Sequence, residues 1–60
     1  MKLYTTVKLK EKIGDYPAGS QGIIIEIYNK TICYVEIFDE NGDTIGVLYD
    51  VPIEKLEAAK

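Results

Sequence analysis

Pro17-Ala18-Gly19-Ser20-Gln21-Gly22-Ile23-Ile24-Ile25-Glu26-Ile27-Tyr28 decides how this chain folds. A glycine-punctuated loop runs straight into the most apolar segment of the sequence. The β-branched Ile23, Ile24, Ile25 and Ile27 disfavour a helix, and the run is too short to span a bilayer. Bounded by Gly22 and by Asn29-Lys30, it reads as a buried central strand. Its unbroken apolar character means burial on both faces or a bulge that turns the strand between sheets. In a small barrel the bulge is the expected device, and it points both Ile24 and Ile27 inward against simple alternation.

The neighbours on either side supply cover for that strand. Downstream, Asn29-Lys30-Thr31 is a polar turn and Ile32 to Asp39 a strand. Cys33, Val35 and Ile37 share one of its faces; Ile32, Tyr34, Glu36 and Phe38 share the other, which the glutamate marks as wet or partner-facing. Glu40-Asn41-Gly42-Asp43 predicts a type I′ hairpin turn, because Asn-Gly tolerates positive φ. Thr44 to Asp50 returns as a strand in which Gly46 marks a bend or a close backbone approach. Proline has no N–H to donate, so Val51-Pro52 ends the ladder and residues 52–55 suit one 3-10 turn. Leu56 to Ala58 adds a short strand beside the first, and Ala59-Lys60 should fray.

Upstream, Glu11 to Gln21 is a long loop with Tyr16 at its centre, placed either as a lid on the core or as a partner contact. Leu3 to Lys10 alternates, with Leu3, Thr5, Val7 and Leu9 on the buried face. The expectation is an all-β barrel of five strands, at about 3–10, 22–29, 32–39, 44–50 and 56–58.

Sixty residues make a single domain with a modest core. Cys33 is alone, so no disulfide forms within the chain, and the absence of histidine leaves no zinc ligand set. The lone thiol, together with a start lacking an apolar leader, predicts a soluble cytoplasmic protein without membrane contact. Seven lysines face ten carboxylates, for a net charge of −3, and no arginine occurs. That balance disfavours nucleic-acid binding, which rests on phosphate neutralisation. The charge is uneven: Lys2, Lys8, Lys10 and Lys12 crowd the first strand, while Glu36, Asp39, Glu40, Asp43, Asp50 and Glu54 make the second half acidic.

Strand, long glycine loop, three-strand meander, 3-10 turn and last strand is the order of an SH3-like barrel. The chain resembles the short bacterial and archaeal proteins grouped as domain of unknown function 4926. The likeness lies in Val7-Lys8-Leu9 with Gly22 to Tyr28, in Val35 to Ile45, and in Val51-Pro52-Ile53-Glu54-Lys55-Leu56, which answers that family's Leu-Pro-x-x-x-Leu ending. It departs at Val51, where leucine is more usual, and by an extra residue near Asp50. The resemblance implies a fold but no established activity. Members can lie beside a gene for a toxin-like protein, which implies an antidote role by association.

Chemistry finds little purchase. Cys33 has no histidine to act as its base and sits on the apolar strand face, so no catalytic residue is expected. Asp39-x-Asn41-x-Asp43, with Asp50 at the twelfth position, mimics a calcium loop, but Thr44 stands where its sharp-turn glycine belongs. The glycines around Ser20 lack the lysine–threonine pair and the helix of a phosphate cradle. No cofactor and no metal are expected. The aromatic excess is the suggestive feature: Tyr28, Tyr34 and Phe38 fall at or near wet strand faces, with Tyr16 and Tyr49 at the rim. The expected function is a non-enzymatic protein-interaction module that binds another protein, toxin-like or an enzyme subunit, or a second copy of itself. The alternative is an RNA- or ribosome-associated barrel, resting on the lysine cluster and stacking by Tyr4 or Tyr16.

Overall fold

Strict alternation survives best in Ile32–Phe38, where Cys33, Val35 and Ile37 are fully buried and the residues between them are partly exposed. In the computed structural model, which describes residues 1–59, this segment is β3. Around it lie β1 (Thr6–Leu9), β2 (Gln21–Ile27), β4 (Thr44–Pro52), one 3-10 turn (Ile53–Lys55) and β5 (Leu56–Ala58). All pairings are antiparallel, in one sheet of order β4-β3-β2-β1-β5. The protein is therefore all-β, as the periodicity predicts.

Every strand sends side chains to a single core: Val7 and Leu9 from β1, Ile24 from β2, Cys33, Val35 and Ile37 from β3, Val51 from β4 and Leu56 from β5. One sheet can do this only if it curls, so that its two ends face each other across the same apolar interior. Ile13, Tyr16, Ile27, Leu48 and Ile53 close the cluster from its margins. The whole measures 30 × 20 × 19 Å.

Three bulges bend the strands. Opposite β3, the β2 register slips by one at Ile25, between the pairs Ile24↔Val35 and Glu26↔Tyr34. That slip lets Ile24 and Ile27 both pack inward, as expected of a strand that changes face. In β4, Ile45 is the additional residue between Gly46↔Ile37 and Thr44↔Phe38. Tyr49 and Asp50 together oppose Tyr34, with Asp50 at φ 55.

Several local expectations need correction. The first strand runs from Thr6 to Leu9, not from Leu3 to Lys10. Tyr4 adopts φ 65 and Leu3 turns outward, 45% exposed, because the chain kinks there; the Tyr4 N–H still donates to the Ile24 carbonyl at 2.7 Å. β2 and β3 end at Ile27 and Phe38, short of residues 29 and 39. The β4 ladder runs past Asp50 to Pro52, which pairs with Ile32. The proline is tolerated because β4 is an edge strand, and the 3-10 turn starts after it. The Asn-Gly turn is not type I′: only Gly42 has positive φ, and Asn41 does not. The Gly42 N–H donates to the Asp39 carbonyl at 2.9 Å, while the Asp39 N–H donates to the Asp43 carbonyl at 2.9 Å. The result is a three-residue loop ending in a left-handed glycine. Ala59, expected to fray, donates its N–H to the Thr6 carbonyl at 2.8 Å; Lys60 lies outside the described residues.

Two glycines are sterically required. A Cβ on buried Gly22 would stand 2.6 Å from both the Glu36 carbonyl oxygen and Val35 Cγ1. A Cβ on Gly46 would collide with the Tyr16 hydroxyl and meet its Cζ at 3.0 Å. Gly22→Ala is expected to cost about 1–3 kcal/mol by overpacking. A thermal melt should record this as a fall of about 4–8 °C per kcal/mol, and an unchanged midpoint would contradict the packing described. Gly46→Ala should cost less in a Tyr16→Phe background than in wild type, so a double-mutant cycle that adds perfectly would show the two residues do not touch.

Candidate interaction surface

Because Cys33, Val35 and Ile37 point inward, Tyr34, Glu36 and Phe38 project from the outer face of β3. Registered partners share a face, so the rows across the sheet follow directly. Tyr34 is paired with Glu26 on β2. Glu36 lies between Ile23 of β2 and Val47 of β4. Phe38 lies between Gln21 of β2 and Thr44 of β4, and Gln21 is followed in the row by Lys8 and Glu57. The Tyr49 ring meets the Tyr34 ring edge to face, with centroids 5.0 Å apart and planes at 76°. Tyr34 is half-buried, while Tyr49 is 65% exposed.

The residues picked out by sequence thus divide. Tyr34, Tyr49 and Phe38 share the outer face around Glu36. Tyr28 is exposed beyond the end of β2, where its N–H donates to the Ile32 carbonyl at 3.0 Å. Tyr16 is held apart from them. Its loop folds into a small hairpin through reciprocal backbone bonds with Ile13, of 2.9 and 3.0 Å. Its ring packs on the core beneath Gly46, and its hydroxyl donates to the Ile45 carbonyl at 3.4 Å. It occupies the lid position. Ile23 and Val47 belong to the outer face but were not singled out from sequence. Ile23 was hidden within an isoleucine run, and Val47 lies between two bulges that scramble alternation.

An open groove beside Phe38 is walled by Lys8 on one side and by Asp39 and Glu40 on the other. The calcium-like loop is committed to its own backbone. Asp39 Oδ1 accepts the N–H groups of Asn41 at 2.9 Å and Asp43 at 3.0 Å, which fixes the turn. Asn29 does likewise, accepting from Thr31 at 2.8 Å and Ile32 at 2.9 Å. Among the described residues no three cysteine or carboxylate groups come together as a metal site. No helix there is long and apolar enough to cross a membrane. No family model, curated protein or solved structure matches the chain.

Cys33 is buried and free, and burial pushes its thiol pKa upward. The sign of the linkage follows: the unfolded thiol loses its proton at lower pH than the folded one. The stability associated with the neutral thiol is therefore complete below the ordinary value of 9.0 and is lost as pH rises from there through the folded pKa. Compared with Cys33→Ala, the wild type should lose stability more steeply above that pH in denaturant titrations. It should also react with a thiol reagent only on unfolding; rapid labelling of the native protein would contradict the burial.

Proposed function

We propose that this protein is a non-enzymatic interaction module that docks a partner protein on the outer face of β2, β3 and β4. The observation that carries the reading is the perpendicular Tyr34–Tyr49 pair, set on a sheet face beside half-buried Ile23, Val47 and Phe38. Tyrosines fixed by contact with each other offer apolar area at low entropic cost, with hydroxyls free to bond across an interface. The resemblance to domain of unknown function 4926 gives the reading its sharpest form: an antidote, immunity-like protein or accessory subunit held on a larger partner in the cytoplasm. The RNA-associated alternative is weakened by the β3–β4 hairpin, which carries Glu36, Asp39, Glu40, Asp43 and Asp50 without one lysine.

The test is affinity capture from native lysate with wild type and with Tyr34→Ser/Tyr49→Ser as baits, both checked for folding by circular dichroism. The product of the adjacent gene is the first candidate to look for. At least one protein should be retained by wild type and bind about 30-fold more weakly to the variant, as for interfacial aromatic anchors. Indistinguishable captures would overturn the reading.

A further inference from the structure

Glu36 occupies the centre of the outer face, and its surroundings are unusual for a carboxylate. Its cross-strand neighbours are Ile23 and Val47, and its same-face neighbours along β3 are Tyr34 and Phe38. All four nearest sheet positions therefore hold apolar or aromatic side chains. Glu36 is itself half-buried, and among the described residues its carboxylate makes neither an ion pair nor a hydrogen bond with another side chain. The one ion pair among those residues, Lys55 with Glu11 at 3.5 Å, involves neither β3 nor β4. Lysine is missing from the whole β3–β4 hairpin, whose five carboxylates contrast with seven lysines against five carboxylates elsewhere.

Resting on the interaction reading above, we infer that the partner is a protein segment that presents an arginine to Glu36 and apolar side chains to the ring around it. A lone carboxylate in the middle of a docking face is expensive to cover. Interface cores exclude charge unless it is paired, and an unpaired buried carboxylate is strongly destabilising. Pairing removes that cost. The flanking Tyr34 and Phe38 rings favour a guanidinium over an ammonium, because its plane stacks on an aromatic ring while its fork bonds a carboxylate with two N–H groups. A second copy of this chain is a poor occupant: a two-fold contact would set Glu36 and its acidic hairpin against themselves. A polyanion meets the same repulsion.

The probe is a blocked peptide, Gly-Val-Arg-Val-Arg-Val-Gly, titrated into isotopically labelled protein by two-dimensional NMR, with citrulline replacing arginine as the neutral control. Amide shifts should concentrate at Ile23, Tyr34, Glu36 and Val47, and the citrulline peptide should bind at least tenfold more weakly. Glu36→Gln should weaken the arginine peptide by a similar factor, whereas Glu57→Gln, with the same charge change, should not. Equal loss in both variants, or shifts spread over the acidic surface, would mean diffuse attraction and would overturn the inference. So would a concentration-dependent dimer formed on this face. Capture separates the two levels of argument. A partner lost by Tyr34→Ser/Tyr49→Ser but kept by Glu36→Gln overturns the arginine inference and leaves the interaction reading standing. Captures insensitive to both variants overturn both.

Discussion

The close approach of β2 to β3 depends on one missing side chain. At Gly22 the β2 backbone comes so close to β3 that any Cβ would meet the Glu36 carbonyl and Val35 Cγ1 at 2.6 Å. Removing that atom leaves room for Val35 and the Ile37 Cδ1 to fill the interior beneath the strand. The curl of the sheet brings Leu56 of β5 at one end into the same cluster as Val51 of β4 at the other. A 60-residue domain has no spare core with which to offset a poor fit here.

Much of this architecture was legible because β3 and the isoleucine run carry simple signals. Alternation in Ile32–Phe38 identifies its two faces, and the isoleucine run overfills one strand and so implies the bulge found at Ile25. Gly46 pointed to a close approach, although not to its partner, since Tyr16 is 30 residues upstream and reaches it through a loop without periodicity. What failed was local geometry set by tertiary context. Asn41-Gly42 has the composition of a two-residue turn, but Asp39 captures two backbone N–H groups and stabilises a longer loop. The alternating residues 3–5 continue the pattern of β1, yet a left-handed Tyr4 breaks the strand before Thr6.

The candidate surface was partly legible for the same reasons. Tyr34, Glu36 and Phe38 follow from alternation alone, whereas the Tyr34–Tyr49 contact depends on the bulge that sets Tyr49 and Asp50 against a single β3 residue. Tyr16 shows why aromatic count is a weak guide: its ring serves the interior and its hydroxyl ends on a backbone carbonyl. The outer face combines two features, an edge-to-face tyrosine pair and a carboxylate with no side-chain partner among the described residues. The first follows from the β4 bulge and the second from a hairpin without lysine.

The slips at Ile25, Ile45 and Tyr49-Asp50 also bear on where the chain can change length. Each absorbs one residue inside a strand without lengthening a loop. Insertion or loss of one residue therefore belongs at these points, within elements where a change of length is ordinarily disruptive. Losing any one of these slips would reverse inside and outside for the strand positions that follow, up to the next slip.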